Sequence, residues 1–178
     1  KAVELARTSS GLEMVRYGIT EVVSSGGKSK EDDPEALMAA MRQVFQDSGI
    51  SANQVCTAVS GESVIVRPIP MPRFEAKREE EFEVAVRGEA RDFIPFEMDD
   101  VVFDYQRLVG RSAAGEKGAK TSEVLIVAVK KDLIDRHLTL LEAIGLEPTI
   151  IDVDSIALVN AVIAGSEINP EEAVAVVN

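Results

Sequence analysis

The sequence predicts an α/β (α+β) protein in which one compact unit is inserted into another. Two observations carry this. Residues Ser63–Val153 read strand–helix–strand and then strand–helix–strand, the order of a ferredoxin-like split β-α-β sandwich or, equally, of a variant with one strand re-sited. The elements before Ser63 and after Val153 make no complete fold alone, yet together they supply strands and helices for a second domain. The expected division is therefore 63–153 for the insert, with 1–62 and 154–178 as the host.

The elements follow from periodicity and from turn chemistry. Lys1–Arg7 alternates polar and apolar residues and reads as a strand. After a turn at Ser9–Gly11, Leu12–Thr20 reads as a second strand with Met14, Tyr17 and Ile19 available for burial. Ser24–Asp33 is a polar connector. Asp33 then caps a helix with Pro34 at its first position, and Gly49 suits the left-handed residue past its end. Gln54–Ser60 is a strand in which Cys56 alternates with Ala58 as a buried, inert thiol.

Ser63–Ile69 is the first strand of the insert. Phe74–Phe96 reads as one amphipathic helix, with Phe82, Ala85, Val86, Ala90 and Phe93 on one face. Pro95 is expected to end it, since proline has no N–H to give and disfavours helical geometry in the residue before it. Val101–Val109 and Glu123–Val129 are strands, joined by the glycine-rich Gly110–Thr121. Lys131–Ile144 is a helix carrying His137 on its apolar face and closed by Gly145. Pro148–Val153 is a strand, Asp154–Ala164 a helix capped by Asp154, and Glu171–Val177 a last strand. The chain opens at Lys1 inside an alternating run and stops just after that last strand, which reads as a fragment of a longer protein.

Composition narrows the function classes. A net charge of −12 argues against nucleic acid, which needs a basic stripe, and against docking on anionic lipid. No apolar run approaches the roughly 20 residues of a membrane span, so direct membrane insertion is not expected. Apolar residues make up 46% of the chain but aromatics only 4%, so the cores must be aliphatic. One cysteine and one histidine cannot build a metal site of the usual spacing. Gly110–Lys117 only superficially resembles a phosphate loop, because Glu116 stands where the lysine belongs and no helix follows. Asp152 and Asp154 flank Val153, where helix capping accounts for Asp154. No catalytic constellation emerges, and the residues alone indicate an acidic interaction or regulatory module.

Five segments then carry a resemblance: KAVEL at 1–5, VCTAVSGESVIVRPIPMP at 55–72, GEARDFIPFEMDDVVFDYQ at 88–106, TSEVLIVAVKKDLID at 121–135 and GLEPTIIDVDSIALVNA at 145–161. In this order they resemble the PilM family, actin-like cytoplasmic proteins of type IV pilus assembly related in fold to the cell-division protein FtsA. The resemblance implies a partial actin-like (ribonuclease H-like) subdomain 1A, 1–62 and 154–178, interrupted by a subdomain 1C, 63–153, with the last strand entering 2A.

It further implies a scaffold, associated peripherally with the inner membrane, that holds the short N-terminal tail of a PilN-type membrane protein between 1A and 1C. Val66, Arg67, Ile69, Phe93, Pro95 and Phe96 are the candidates for that contact. Intact family members hold ATP with magnesium; only Asp154 and Ser155 would approach the nucleotide here, so none is expected to bind this stretch, nor is catalysis. The resemblance also leaves room for self-association and for contacts with other pilus assembly proteins. The alternative is an ATP-dependent actin-like switch or an FtsA-like division protein.

Overall fold

The computed structural model describes residues 1–9, 11–23, 33–72, 79–108, 121–166, 169, 171 and 173–176. The glycine-rich loop, most of the Ser24–Asp33 connector and the first residues of the Phe74–Phe96 segment lie outside them. The chain forms two compact units, Lys1–Ala58 with Arg136–Asp152, and Val59–Asp135 with Val153–Asn178.

In the first unit, β1 (Ala2–Thr8) and β2 (Gly11–Gly18) form an antiparallel ribbon. Helix α1 (Pro34–Ser48) has the expected ends. The Asp33 carboxylate accepts from the Ala36 N–H at 3.2 Å, and Gly49 takes φ +67°, where a Cβ is costly. The ribbon meets α1 through Gly18: a Cβ there would lie 2.8 Å from Val44 Cγ2 and 3.0 Å from the Val44 carbonyl oxygen. Only hydrogen fits, so glycine is required by approach and not by backbone angle.

Glu4 and Arg16, paired two residues along the register from Ala2 and Gly18, bridge at 2.6 Å. The opposite face of the ribbon carries Val3, Leu5, Met14 and Tyr17. Met14, Tyr17 and Ile19, expected inside, are thus exposed, at 63%, 66% and 68%. The period-2 pattern located the apolar side, but the small and charged side is the one that packs.

Strand β3 (Gln54–Val59) pairs with β7 (Glu147–Val153) in a second two-stranded sheet, and helix α3 (Lys131–Glu142) lies against it. Thr57 Oγ1 sits 2.9 Å from His137 Nε2, and Arg42 donates to the Ala143 carbonyl at 3.1 Å, tying α1 to the end of α3. Cys56 is exposed, a correction to its expected burial, because Thr57 and Val59 take the inward positions of β3. A largely apolar cavity of about 640 Å³ is lined by residues of β1, β3 and α1. Lys1–Leu5 and Gln54–Thr57 both line it as consecutive residues, so the β1 and β3 edges themselves bound the cavity.

In the second unit, β4 (Val64–Pro72), β6 (Thr121–Lys130) and β5 (Val101–Leu108) form an antiparallel sheet in the order β4-β6-β5. Helix α2 (Glu79–Ala90) covers one face, burying Phe82, Val86 and Ala90 against Ile69, Met71, Val124, Ile126 and Ala128. Of the two arrangements open to the sequence, the four-stranded ferredoxin-like sheet does not form: its fourth strand, β7, is sited elsewhere and pairs with β3. The reason lies in β4. In that sandwich the fourth strand adds beside the first. Pro68, Pro70 and Pro72 have no N–H, and in an antiparallel ladder alternate residues point the same way. Their unbroken register with β6 therefore turns the donorless positions outward, and the free edge cannot take another strand.

Helix α2 also stops earlier than expected, at Ala90, five residues before Pro95. The N–H groups of Phe93 and Ile94 both donate to the Ala90 carbonyl, at 3.0 and 3.1 Å. The turn then leaves the residue before proline outside the helix, as its sterics require. Helix α4 (Asp154–Gly165) begins after Val153 as cap, so Asp154 lies in the first turn and makes no capping bond, contrary to expectation. The described residues of Glu171–Val177 form no strand.

Two outcomes follow. Gly18→Ala should lower unfolding stability by about 1–3 kcal/mol in urea titration, as overpacked sites do, while Gly88→Ala, with open space at its Cβ, should not. Burial holds the His137 imidazole below its ordinary value of 6.5. The unfolded chain therefore binds the proton more readily, so stability is full above pH 6.5 and declines as the pH falls through the depressed value. His137→Gln should flatten that decline, read from melting temperatures between about pH 7 and 5.

Candidate interaction site

The corner Phe93–Ile94–Pro95–Phe96 links α2 to the short 3-10 turn Met98–Asp100 and then to β5. Ile94 is buried in the core of the second unit, and Phe93 and Phe96 are half-buried against it. Pro95 stands exposed between them. The corner is thus pinned from inside by one aliphatic side chain and presents its ring outside.

Cations from the sheet lie over the two aromatics. The Arg67 guanidinium is 5.4 Å from the Phe93 ring centre, and Lys130 Nζ is 4.5 Å from that of Phe96. Both distances are in the range where the ring quadrupole attracts a cation. The register explains the arrangement. Arg67 pairs with Ile126, Ile126 with Tyr105, and Lys130 with Val101, so all share the face that α2 covers. Lys131 adds a third cation, its Nζ donating to the Asp99 carbonyl at 2.6 Å. A depression of about 560 Å³ opens beside the corner, lined by Arg91, Ile94, Pro95, Phe96, Glu97, Met98 and Asp99.

At the other end of α2 a related cluster anchors the helix. The Arg107 guanidinium lies 3.7 Å from the Phe82 ring centre and 2.7 Å from the Glu79 carboxylate. Tyr105 donates its hydroxyl to the other Glu79 oxygen at 2.8 Å. Burial first, and then the hydrogen bond and charge of Glu79, push the Tyr105 phenol above its ordinary 10.0, so it remains a donor.

Of the six residues singled out for partner contact, four meet here: Arg67, Phe93, Pro95 and Phe96. Ile69 is fully buried in the core, with 0% exposed, and has no surface to offer. Val66, 36% exposed, points to the opposite face of the sheet. Lys130 was missed. Its signal was present, since period 2 along β6 puts it in line with Val124, Ile126 and Ala128 on the helix-covered face.

Asp154 and Ser155, the residues expected nearest a nucleotide, lie in the first turn of α4. No cluster of three or more His, Cys, Asp or Glu side chains that could hold a metal ion occurs among the described residues. No described helix is long and apolar enough to cross a membrane.

Residues 1–177 match the family model described as type IV pilus assembly protein PilM. The chain is similar to a solved structure described as a PilM–PilN type IV pilus biogenesis complex, with 27% identity and a TM-score of 0.64 over 91% of this chain. It spans 46% of that structure's chain, about half its length. It is also similar, at 19% identity and a TM-score of 0.47, to the cytoplasmic domain of EpsL, an inner-membrane component of the type II secretion system of Vibrio cholerae. That match covers 86% of this chain and 52% of the other. The chain belongs to the PilM family of type IV pilus assembly proteins.

The corner makes a stability prediction of its own. Ile94→Ala should cost about 2–5 kcal/mol in denaturant unfolding, because it empties the buried anchor. Pro95→Ala, at an exposed position, should stay within about 0.5 kcal/mol.

Proposed function

We propose that this PilM-family chain serves type IV pilus assembly as a scaffold, and that its Phe93–Phe96 corner receives the short N-terminal cytoplasmic tail of a PilN-type inner-membrane protein. Family membership and the similarity to a PilM–PilN complex support the class of partner. The observation that carries the site is the exposed Pro95 held between two half-buried phenylalanines, each under a cation. An apolar peptide side chain can lie against the proline and ring edges, while Arg67 and Lys130 keep donors for its carbonyl oxygens.

Recognition by pockets suits this sheet better than strand addition along β4, whose outer edge lacks donors at Pro68, Pro70 and Pro72. On this reading the protein works in the cytoplasm and reaches the inner membrane through its partner. On this reading its role is binding and not catalysis.

Calorimetric titration with a synthetic peptide of the cognate tail tests the proposal, with a scrambled peptide as control. Saturable binding of the native peptide alone is expected, with Arg67→Ala and Pro95→Ala each weakening it about tenfold. Equal binding of the scrambled peptide, or affinity unchanged in both variants, would overturn the assignment of the corner.

A further inference from the structure

We infer that the free edge of β5 pairs with the β5 edge of a second copy of this chain, antiparallel about a two-fold axis at Tyr105. Because the prolines turn Pro68, Pro70 and Pro72 away from β6, the odd-numbered residues of β4 bond the even-numbered residues of β6. The odd-numbered residues of β6 then bond Val102, Asp104, Gln106 and Leu108 of β5. This leaves the N–H and C=O groups of Val101, Phe103, Tyr105 and Arg107 directed outward. One observation agrees directly: the Tyr105 N–H is taken by the neighbouring Asp104 carboxylate at 2.7 Å, as an outward amide without a strand partner would be. Among the described residues β5 pairs with β6 alone, and it contains no proline.

The side chains then select the partner. An axis at Tyr105 sets Phe103 against the partner's Arg107, Asp104 against the partner's Gln106, and Val102 against the partner's Leu108. Within one copy the same chemistry already occurs across this sheet face, where Arg87 lies 5.1 Å from the Phe103 ring centre and Arg107 lies 3.7 Å from that of Phe82. Each half of the strand thus complements the other half: ring with guanidinium, carboxylate with amide, aliphatic with aliphatic. On pairing, Asp104 exchanges the Tyr105 amide for the partner's Gln106, and the amide bonds across the axis. The joint sheet would run β4-β6-β5 and then the partner's β5-β6-β4. Its two outer edges are both proline-closed, so assembly ends at a dimer instead of growing into a filament.

The test is sedimentation equilibrium of the whole chain with two charge variants. A concentration-dependent dimer is expected. Gln106→Lys, facing the partner's Asp104 twice, should tighten it about fivefold, and Gln106→Glu should loosen it by a similar factor. A chain that stays monomeric up to about 1 mM would overturn the inference. So would a dimer whose dissociation constant is the same in both charge variants, since that dimer uses another surface.

Discussion

Three missing hydrogen atoms govern the second unit. The amide nitrogens of Pro68, Pro70 and Pro72 cannot donate, and because they fall on alternate residues they all strip the same edge of β4. An antiparallel strand added there would leave its own carbonyls unpaired at three successive sites, each costing on the order of 1–3 kcal/mol if buried. No packing term of ordinary size offsets that. The sheet therefore stops at three strands, and β7 pairs with β3 instead. In the first unit, His137 of α3 meets Thr57 on β3. The same stripped edge offers no donors at Pro68, Pro70 and Pro72 for strand addition at β4.

Legibility followed the range of the interaction concerned. The ends of α1 were readable because a carboxylate at Asp33, a proline at 34 and a glycine at 49 each act within one turn of their own position. The core residues of α2 were readable from spacing alone, and Phe82, Val86 and Ala90 are buried as that spacing requires. The end of α2 was not. Pro95 is the conspicuous breaker, yet the helix closes when two amides converge on the Ala90 carbonyl, a backbone event with no residue signature. Met14 and Tyr17 mark the limit of a period-2 reading, which separates the faces of a strand without saying which one α1 covers. Gly18 decides that, through a close approach that only the folded chain reveals. The proline run was in plain view in VRPIPMP, and weighing it as an edge constraint would have placed β7 correctly.

The electrostatics of the second unit run against the composition of the whole. The chain carries a net charge of −12, yet Arg67, Arg87, Arg107 and Lys130 gather around the helix-covered sheet face. With no tryptophan and few aromatics, its core is largely aliphatic at the centre and aromatic at the rim, at Phe93, Phe96, Phe103 and Tyr105. Rim rings are wet on one side. A cation over that side covers apolar surface with its methylene stem while its charge stays hydrated and meets the negative ring face. The arrangement closes a core too small to bury its own aromatics.

That manner of closure bears on recognition. A surface that must order itself on meeting a peptide loses about 0.5–1.5 kcal/mol for each long side chain it immobilises. At the Phe93–Phe96 corner much of this ordering precedes binding. Ile94 is anchored in the core, Pro95 has a fixed φ, and Arg67 and Lys130 already rest on rings. On the proposed reading, a tail docking there would displace water from a preset shape. The features that end the helix, cap the core and present the proline are therefore one structure, which is why the corner, more than any single residue in it, is the unit on which partner binding would act.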